Sequence, residues 1–282
     1  MGKYDPVTHQ GKRFDRMTKE YLVALERYLG YRKGSLDIVQ GSYNAGGVAQ
    51  SAGTHDGGGA FDLTASSADK KVLAGRRLGA AIWDRKAIPG HWNRHVHGIV
   101  RGNSKASRGA LNQIADMDRN DNGLAGSARD DGPRMKARYM FQYGVPRGKW
   151  KLRRAYVGRL EASKKSSARH KFGQGDTVTV FAAVKNVDEK TRYLLAETPH
   201  GKLFFPASAL RPAYSVRNEK WVADTSCTRG AYPTTSSDFG KRTVLKKGKK
   251  VNTNRSWTDE DGKRWVRTRF GNWYPVSRLN RA

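Results

Sequence analysis

Residues 51–63 read Ser-Ala-Gly-Thr-His-Asp-Gly-Gly-Gly-Ala-Phe-Asp-Leu, and residues 95–98 read His-Val-His-Gly. The first stretch holds too many turn formers for a helix and closes on a short apolar run, so a strand is predicted over residues 60–63. His55 and Asp62 bracket its glycines, whose backbone freedom lets an imidazole and a carboxylate face one point. The second stretch opens a strand predicted over residues 95–100, and a period of two puts the rings of His95 and His97 on one face. Two imidazoles and a carboxylate are a ligand set suited to catalytic zinc, with the fourth tetrahedral position left for water. A site of this kind lowers the pKa of that water towards about 7 and polarises a carbonyl oxygen.

Working outward, Phe14, Met17, Tyr21, Leu25, Tyr28 and Leu29 recur at helical spacing and predict a helix that ends near Gly30. A short strand is predicted over residues 35–40, a second helix over 69–83 with Val72, Leu73, Leu78, Ala81 and Ile82 as its stripe, and a third over 110–117. Strands alternating with helices lead us to expect an α+β domain over residues 1–125, a small antiparallel sheet with helices on one face.

The 282 residues carry 54 Lys plus Arg against 25 Asp plus Glu, a net +29, of which +6 falls on residues 1–100 and +23 on residues 101–282. Between Val145 and Phe172 ten basic residues meet a single acid, Glu161. Charge this dense resists burial, so residues 126–172 are expected to be a basic linker. A polyanionic partner follows from the charge; nucleic acid, anionic lipid and bacterial wall all qualify. No run of about 18 apolar residues suggests a membrane span. The single cysteine, Cys227, makes no internal disulfide.

The last third holds a weak repeat. Residues 175–178 (GDTV) match 248–251 (GKKV), and 205–210 (FPASAL) match 274–279 (YPVSRL). Short aromatic strands between charged turns predict two small all-β barrels, residues 173–215 and 226–282. Both copies resemble the bacterial SH3-like module. Trp221, Trp257, Trp265 and Trp273 are expected to fill or close these barrels.

The segment around His55 and the His-x-His strand together resemble the zinc D-alanyl-D-alanine carboxypeptidase family, which includes phage endolysin peptidases that cleave the stem peptide of peptidoglycan. His55, Gly58, Ala60 and Asp62 match its His-x-x-Gly-x-Ala-x-Asp motif, and the resemblance covers residues 35–125. It implies zinc on His55, Asp62 and His97, hence an α+β zinc peptidase domain followed by two small all-β SH3-like barrels. Two departures stand out. Arg94 occupies the place of the acid that usually serves as general base three residues before the last ligand, which makes His95 the first candidate base, with His91 and Asp84 behind it. The upstream segment that carries a substrate-holding arginine in many members reads Gln40-Gly-Ser-Tyr-Asn44 here, so Gln40, Ser42 and Asn44 are the expected substrate contacts and an endopeptidase becomes possible.

The resemblance implies a monomeric zinc peptidoglycan peptidase with wall-binding modules and anionic wall polymers as partners. The opening MGKYDPVTHQGKR lacks a secretory pattern, so synthesis in the host cytoplasm and action on the wall are expected. Two alternatives remain: a wall-binding protein that keeps the metal without turnover, and a basic nucleic-acid-binding protein. His9, His170 and His200 are expected at the surface. Asp118, Asn120, Asn122 and Gly123 imitate the start of a calcium loop, but Arg129 stands where its bidentate Glu belongs.

Overall fold

The helix expected over residues 69–83 is cut by Gly79. In the computed structural model, which describes residues 2–46, 49–125, 128–234, 236, 239 and 242–282, a helix spans Ala68–Arg77 and a separate strand follows at Ala80–Arg85. Gly79 has φ +94°, and a Cβ there would lie 2.6 Å from the backbone nitrogen of Phe141. A side chain is therefore excluded twice, by conformation and by space.

The chain divides into two units. The first, Met1–Tyr143 with Glu161–Ser166 and Val184–Arg192, begins with a hairpin of β1 (Pro6–His9) and β2 (Lys12–Asp15). Asp15 caps α1 (Arg16–Leu29), its carboxylate accepting from the Thr18 amide at 2.7 Å, and Gly30 closes the helix in the left-handed region. There follow β3 (Ile38–Gln40), β4 (Ala60–Thr64), α2 (Ala68–Arg77), β5 (Ala80–Arg85), β6 (His95–Val100) and α3 (Arg108–Asp118). The four strands form an antiparallel sheet in the order β3-β4-β6-β5. One sheet face is apolar: Phe61 stacks at 5.5 Å on Tyr21 of α1, whose hydroxyl donates to the Gly75 carbonyl of α2. On the other, Ala60, Ala81, Trp83 and Ile99 pack with Ala110 of α3. The remaining part of that second face carries the polar residues described below. β7 (Tyr139–Phe141) pairs with residues 184–186.

Among its described residues the second unit is built from strands alone apart from short 3-10 turns. Its elements are β8 (Gly148–Leu152), β9 (Tyr156–Arg159), β10 (Ala168–Phe172), β11 (Thr177–Asn186, whose last three residues belong to the first unit), β12 (Thr191–Thr198), β13 (Gly201–Pro206) and β14 (Leu210–Pro212). These lie in an eight-stranded sheet that also counts β7. A seven-stranded sheet follows, made of β15 (Ser215–Ala223), β16 (Cys227–Gly230), β17 (Arg242–Leu245), β18 (Lys250–Thr258), β19 (Arg264–Arg267), β20 (Trp273–Pro275) and β21 (Leu279–Arg281). The repeat is present as a shared strand, 3-10 turn and strand: β13, Ala207–Ala209 and β14 in one copy, β20, Val276–Arg278 and β21 in the other. Trp221, Trp257, Trp265 and Trp273 are all buried, so they belong to the cores.

The expected fold class is corrected. The protein is mostly β, 41% strand and 16% helix, with four sheets among the described residues, and is not an α+β peptidase domain followed by two small SH3-like barrels. Residues 126–172, expected as a linker, contribute β7 to β10, and these join the strands of residues 173–215 in one sheet. β15 runs through the gap that the expected modules left between residues 215 and 226. Among the described residues no helix is long and apolar enough to cross a membrane.

Candidate metal centre

Strand register assembles the site. The β4–β6 ladder sets Asp62 directly opposite His97, and the β5–β6 ladder sets Trp83 opposite His97 and Arg85 opposite His95. Side chains alternate across a sheet, so these residues share one face while Val96 and Ile82 point into the apolar core. His55 arrives from the glycine-rich turn before β4. Its Nδ1 donates to the Gly41 carbonyl at 2.8 Å, which turns Nε2 towards Asp62 Oδ2 at 3.3 Å and His97 Nδ1 at 3.4 Å. Gly41 can have no side chain, because a Cβ would come within 2.6 Å of the Arg13 carbonyl oxygen. His97 Nδ1 lies 2.7 Å from Asp62 Oδ1. Its Nε2 is buried with no hydrogen-bond partner, so the ring is tied to the cluster through one nitrogen.

The three side chains are buried, and one ligand atom of each lies within 4.8 Å of the other two. This His55–Asp62–His97 group can hold a metal ion. Its electrostatics suit a cation. Burial opposes the Asp62 charge, but the two imidazoles outweigh it and hold the carboxyl far below its usual range. Burial pushes His97 down to about 4, with His55 and Arg85 adding repulsion, so its ring is neutral near pH 7. His55 is raised, burial being overcome by its hydrogen bond to Asp62 and that residue's charge. An ionised carboxylate and two imidazole nitrogens gathered at one point are a donor set that a divalent ion with nitrogen and oxygen preference takes once it displaces their protons.

The group sits in the wall of a cavity of about 450 Å³. No protein-family model matches the chain, and no curated protein matches it. The reading of the site therefore rests on its own geometry.

Of the expected bases, His95 is the one turned to the cluster. Its Nδ1 donates to the Asn93 carbonyl at 2.8 Å, and Nε2, left with its lone pair, lies 4.0 Å from Asp62 Oδ1. His91 lines the cavity at its exposed rim beside Trp92. Asp84 is on the opposite face of β5. There Arg94 grips it through Nε and Nη2 at 3.0 and 2.7 Å and Lys86 at 2.6 Å, and its carboxyl is held below the usual range chiefly by the Arg94 hydrogen bond. Of the expected substrate contacts, Gln40 lines the cavity and reaches Ser51. Ser42 is buried and donates to the Ala60 carbonyl, and Asn44 is exposed outside the cavity lining, its amide bonded to the His55 carbonyl. The calcium-like stretch does not assemble: Asp118 pairs with Arg101, and the Asn120 carboxamide takes Arg134.

Sequence reading missed Trp83 and Arg85. The Trp83 ring lies parallel to His97, centroids 6.1 Å apart, and carries the Arg85 guanidinium at 4.7 Å. Both would have been legible had the alternation of residues 80–85, small and apolar against Trp and Arg, been read as a strand.

Proposed function

We propose that the protein is a zinc-dependent peptidoglycan peptidase of the phage endolysin kind, which cleaves the stem peptide and is held to the wall by its basic second unit. One observation carries this reading: a buried imidazole–carboxylate–imidazole cluster whose His55 tautomer is set by the Gly41 carbonyl, with a further imidazole, His95, presenting a free nitrogen beside it. Zinc fits the donor set, and when bound it supplies Lewis-acid polarisation of a peptide carbonyl and an acidified water. His55, Asp62 and His97 would hold the ion. Trp83 keeps the His97 ring in orientation, and the Gly41 carbonyl does the same for His55. His95 Nε2 takes the proton released as water attacks, a role that needs hydrogen-bond reach to the reacting atoms. Gln40, on the cavity wall, is placed to bond a peptide backbone.

The second unit carries 26 Lys plus Arg against 8 Asp plus Glu, a net +18, which supports the wall as partner, since teichoic acids and peptidoglycan carboxylates are polyanions. Tethering raises the effective concentration of substrate without altering the catalytic group. A metal-containing wall-binding protein without turnover has one observation in its favour, that Asp62 is the only carboxylate on the cavity wall among the described residues.

Metal analysis of the purified chain, coupled to a digest of purified walls with and without chelator, decides between them. One zinc per chain and chelator-sensitive release of amino groups are expected. Zinc without release of amino groups leaves only the binding protein, and a His97→Ala variant that keeps both zinc and release overturns the ligand assignment.

A further inference from the structure

The face of β18 and β19 that carries Trp257 and Trp265 into the core changes character two residues along. There Arg255 and Arg267 stand directly opposite each other in the β18–β19 ladder, and Trp273 of β20 is the next residue on the same rung. Opposite residues share a face with Cβ atoms about 5 Å apart, so two like charges are set side by side at the margin of an apolar core. Tyr214, just before β15, gathers them with two more. The guanidinium carbons of Arg211 and Arg255 lie 4.8 and 4.3 Å from its ring centre. Its ring is 6.3 Å from that of Trp273, over which Arg267 lies at 5.9 Å. Arg153 donates through Nε to the carbonyl of Leu210, the residue before Arg211. Arg211 in turn stands opposite Lys151 in the β14–β8 ladder.

Among the described residues none of these four arginines forms an ion pair: Asp261 is taken by Arg147, and Glu219 by Arg264 and Arg281. Facing like charges cost a sheet stability, and no carboxylate offsets that here. Burial, with repulsion from Arg255 and Arg153, lowers the Arg267 pKa. An anion held between the guanidiniums would remove the conflict.

We propose that Arg153, Arg211, Arg255 and Arg267 around Tyr214 form a seat for the phosphodiester groups of an anionic wall polymer, a polyol phosphate. The inference rests on the wall-tethering half of the reading above and deepens it, naming where the second unit binds and which anion it takes. Guanidinium forks grip phosphate oxygens in pairs, which a lysine ammonium cannot do. One fork satisfies a lone carboxylate, whereas four at one place suit a chain that offers a charge at every repeat. Nucleic acid fits less well, because single strands are held by stacking bases on open aromatic faces. Tyr214 already carries two guanidiniums, and Trp273 is buried.

The test uses the full chain and calorimetry at physiological ionic strength, with three probes of equal charge: a glycerol phosphate oligomer, an oligoglutamate and a single-stranded oligothymidylate. We expect the glycerol phosphate oligomer to bind at least about tenfold more tightly than the oligoglutamate, and no less tightly than the oligothymidylate. Arg255→Gln combined with Arg267→Gln should weaken that binding at least about tenfold. Lys246→Gln combined with Lys247→Gln removes the same charge from exposed residues of this unit and should weaken it less than about threefold. Equal losses in the two double variants overturn the seat, as does a parent chain without preference for phosphate over carboxylate. Tighter binding of the oligothymidylate overturns the wall polymer as its occupant. If the glutamine pair does not fold, Arg255→Lys with Arg267→Lys serves, which keeps the charge and loses the forks. A phosphate preference reduced at least about threefold then supports the seat, and an unchanged one overturns it. None of these measurements needs turnover. Phosphate preference lodged in the arginines of a chain that digests no walls supports the seat and removes the peptidase reading alone. Wall digestion without that preference overturns the seat alone.

Discussion

The two faces of the β5–β6 ribbon treat an aspartate in opposite ways. On one, Asp62 reaches in from β4 to His97 and His55, and no Lys or Arg pairs with it. On the other, Asp84 is matched by Arg94 and Lys86 at the protein surface. Both carboxyls are ionised, but the first has its charge left for a ligand and the second has spent its charge on the fold. Arg94, three residues before His97, serves to occupy Asp84. A two-residue period therefore separates chemistry from scaffolding more sharply than closeness in sequence does.

The largest effect should come from exchanging the two carboxylates for amides. Asp62→Asn removes the anionic ligand, and zinc affinity, measured by competition with a chromophoric chelator, is expected to fall by at least about a hundredfold, with wall digestion lost. Asp84→Asn is expected to leave zinc affinity and digestion as they were. Equal losses in the two variants would erase the contrast between the faces. Next comes His95→Gln, which keeps zinc and lowers kcat by about a hundredfold to ten-thousandfold, the range of a lost general base. A variant that digests walls at the parent rate would place the base elsewhere.

The metal cluster was legible in the sequence because its causes are local. Glycines flank His55, and alternation fixes the faces of residues 60–64 and 95–100. The chain-wide architecture was not, and β8 shows why. Its sequence GKWKL buries Gly148, Trp150 and Leu152 and exposes Lys149 and Lys151, a clean period of two. Set in a run of ten basic residues, that alternation reads as solvated charge, although each lysine lies on the outer face of a paired strand. In β5 the fault ran the other way, since Leu78, Ala81 and Ile82 fall at helical spacing across a turn that Gly79 alone enforces. Arg85 was lost with that strand.

The smallest effect concerns the metal-free chain and separates His97 from its neighbours by pH. Its folded pKa of about 4 lies below the ordinary 6.5, so between those values the unfolded chain binds the extra proton and stability falls as pH drops through the window. The full difference corresponds to about 3 kcal/mol. His55 acts with the opposite sign: its raised pKa means that the folded chain binds the proton first, and its contribution is present at low pH and lost as pH rises through its folded value. The measured decline should therefore be smaller than His97 alone would give. Asp62 adds nothing until pH falls below its ordinary value of 3.8, since only then does the unfolded carboxyl protonate while the folded one stays ionised. Urea midpoints taken in chelator from pH 7 to 4.5 should thus fall with acid in the parent chain and fall less in His97→Gln. A parent and variant with the same slope would mean that the ring is not held neutral by its burial, and the metal-site face of the ribbon would then be no more demanding of its histidine than the opposite face is of Asp84.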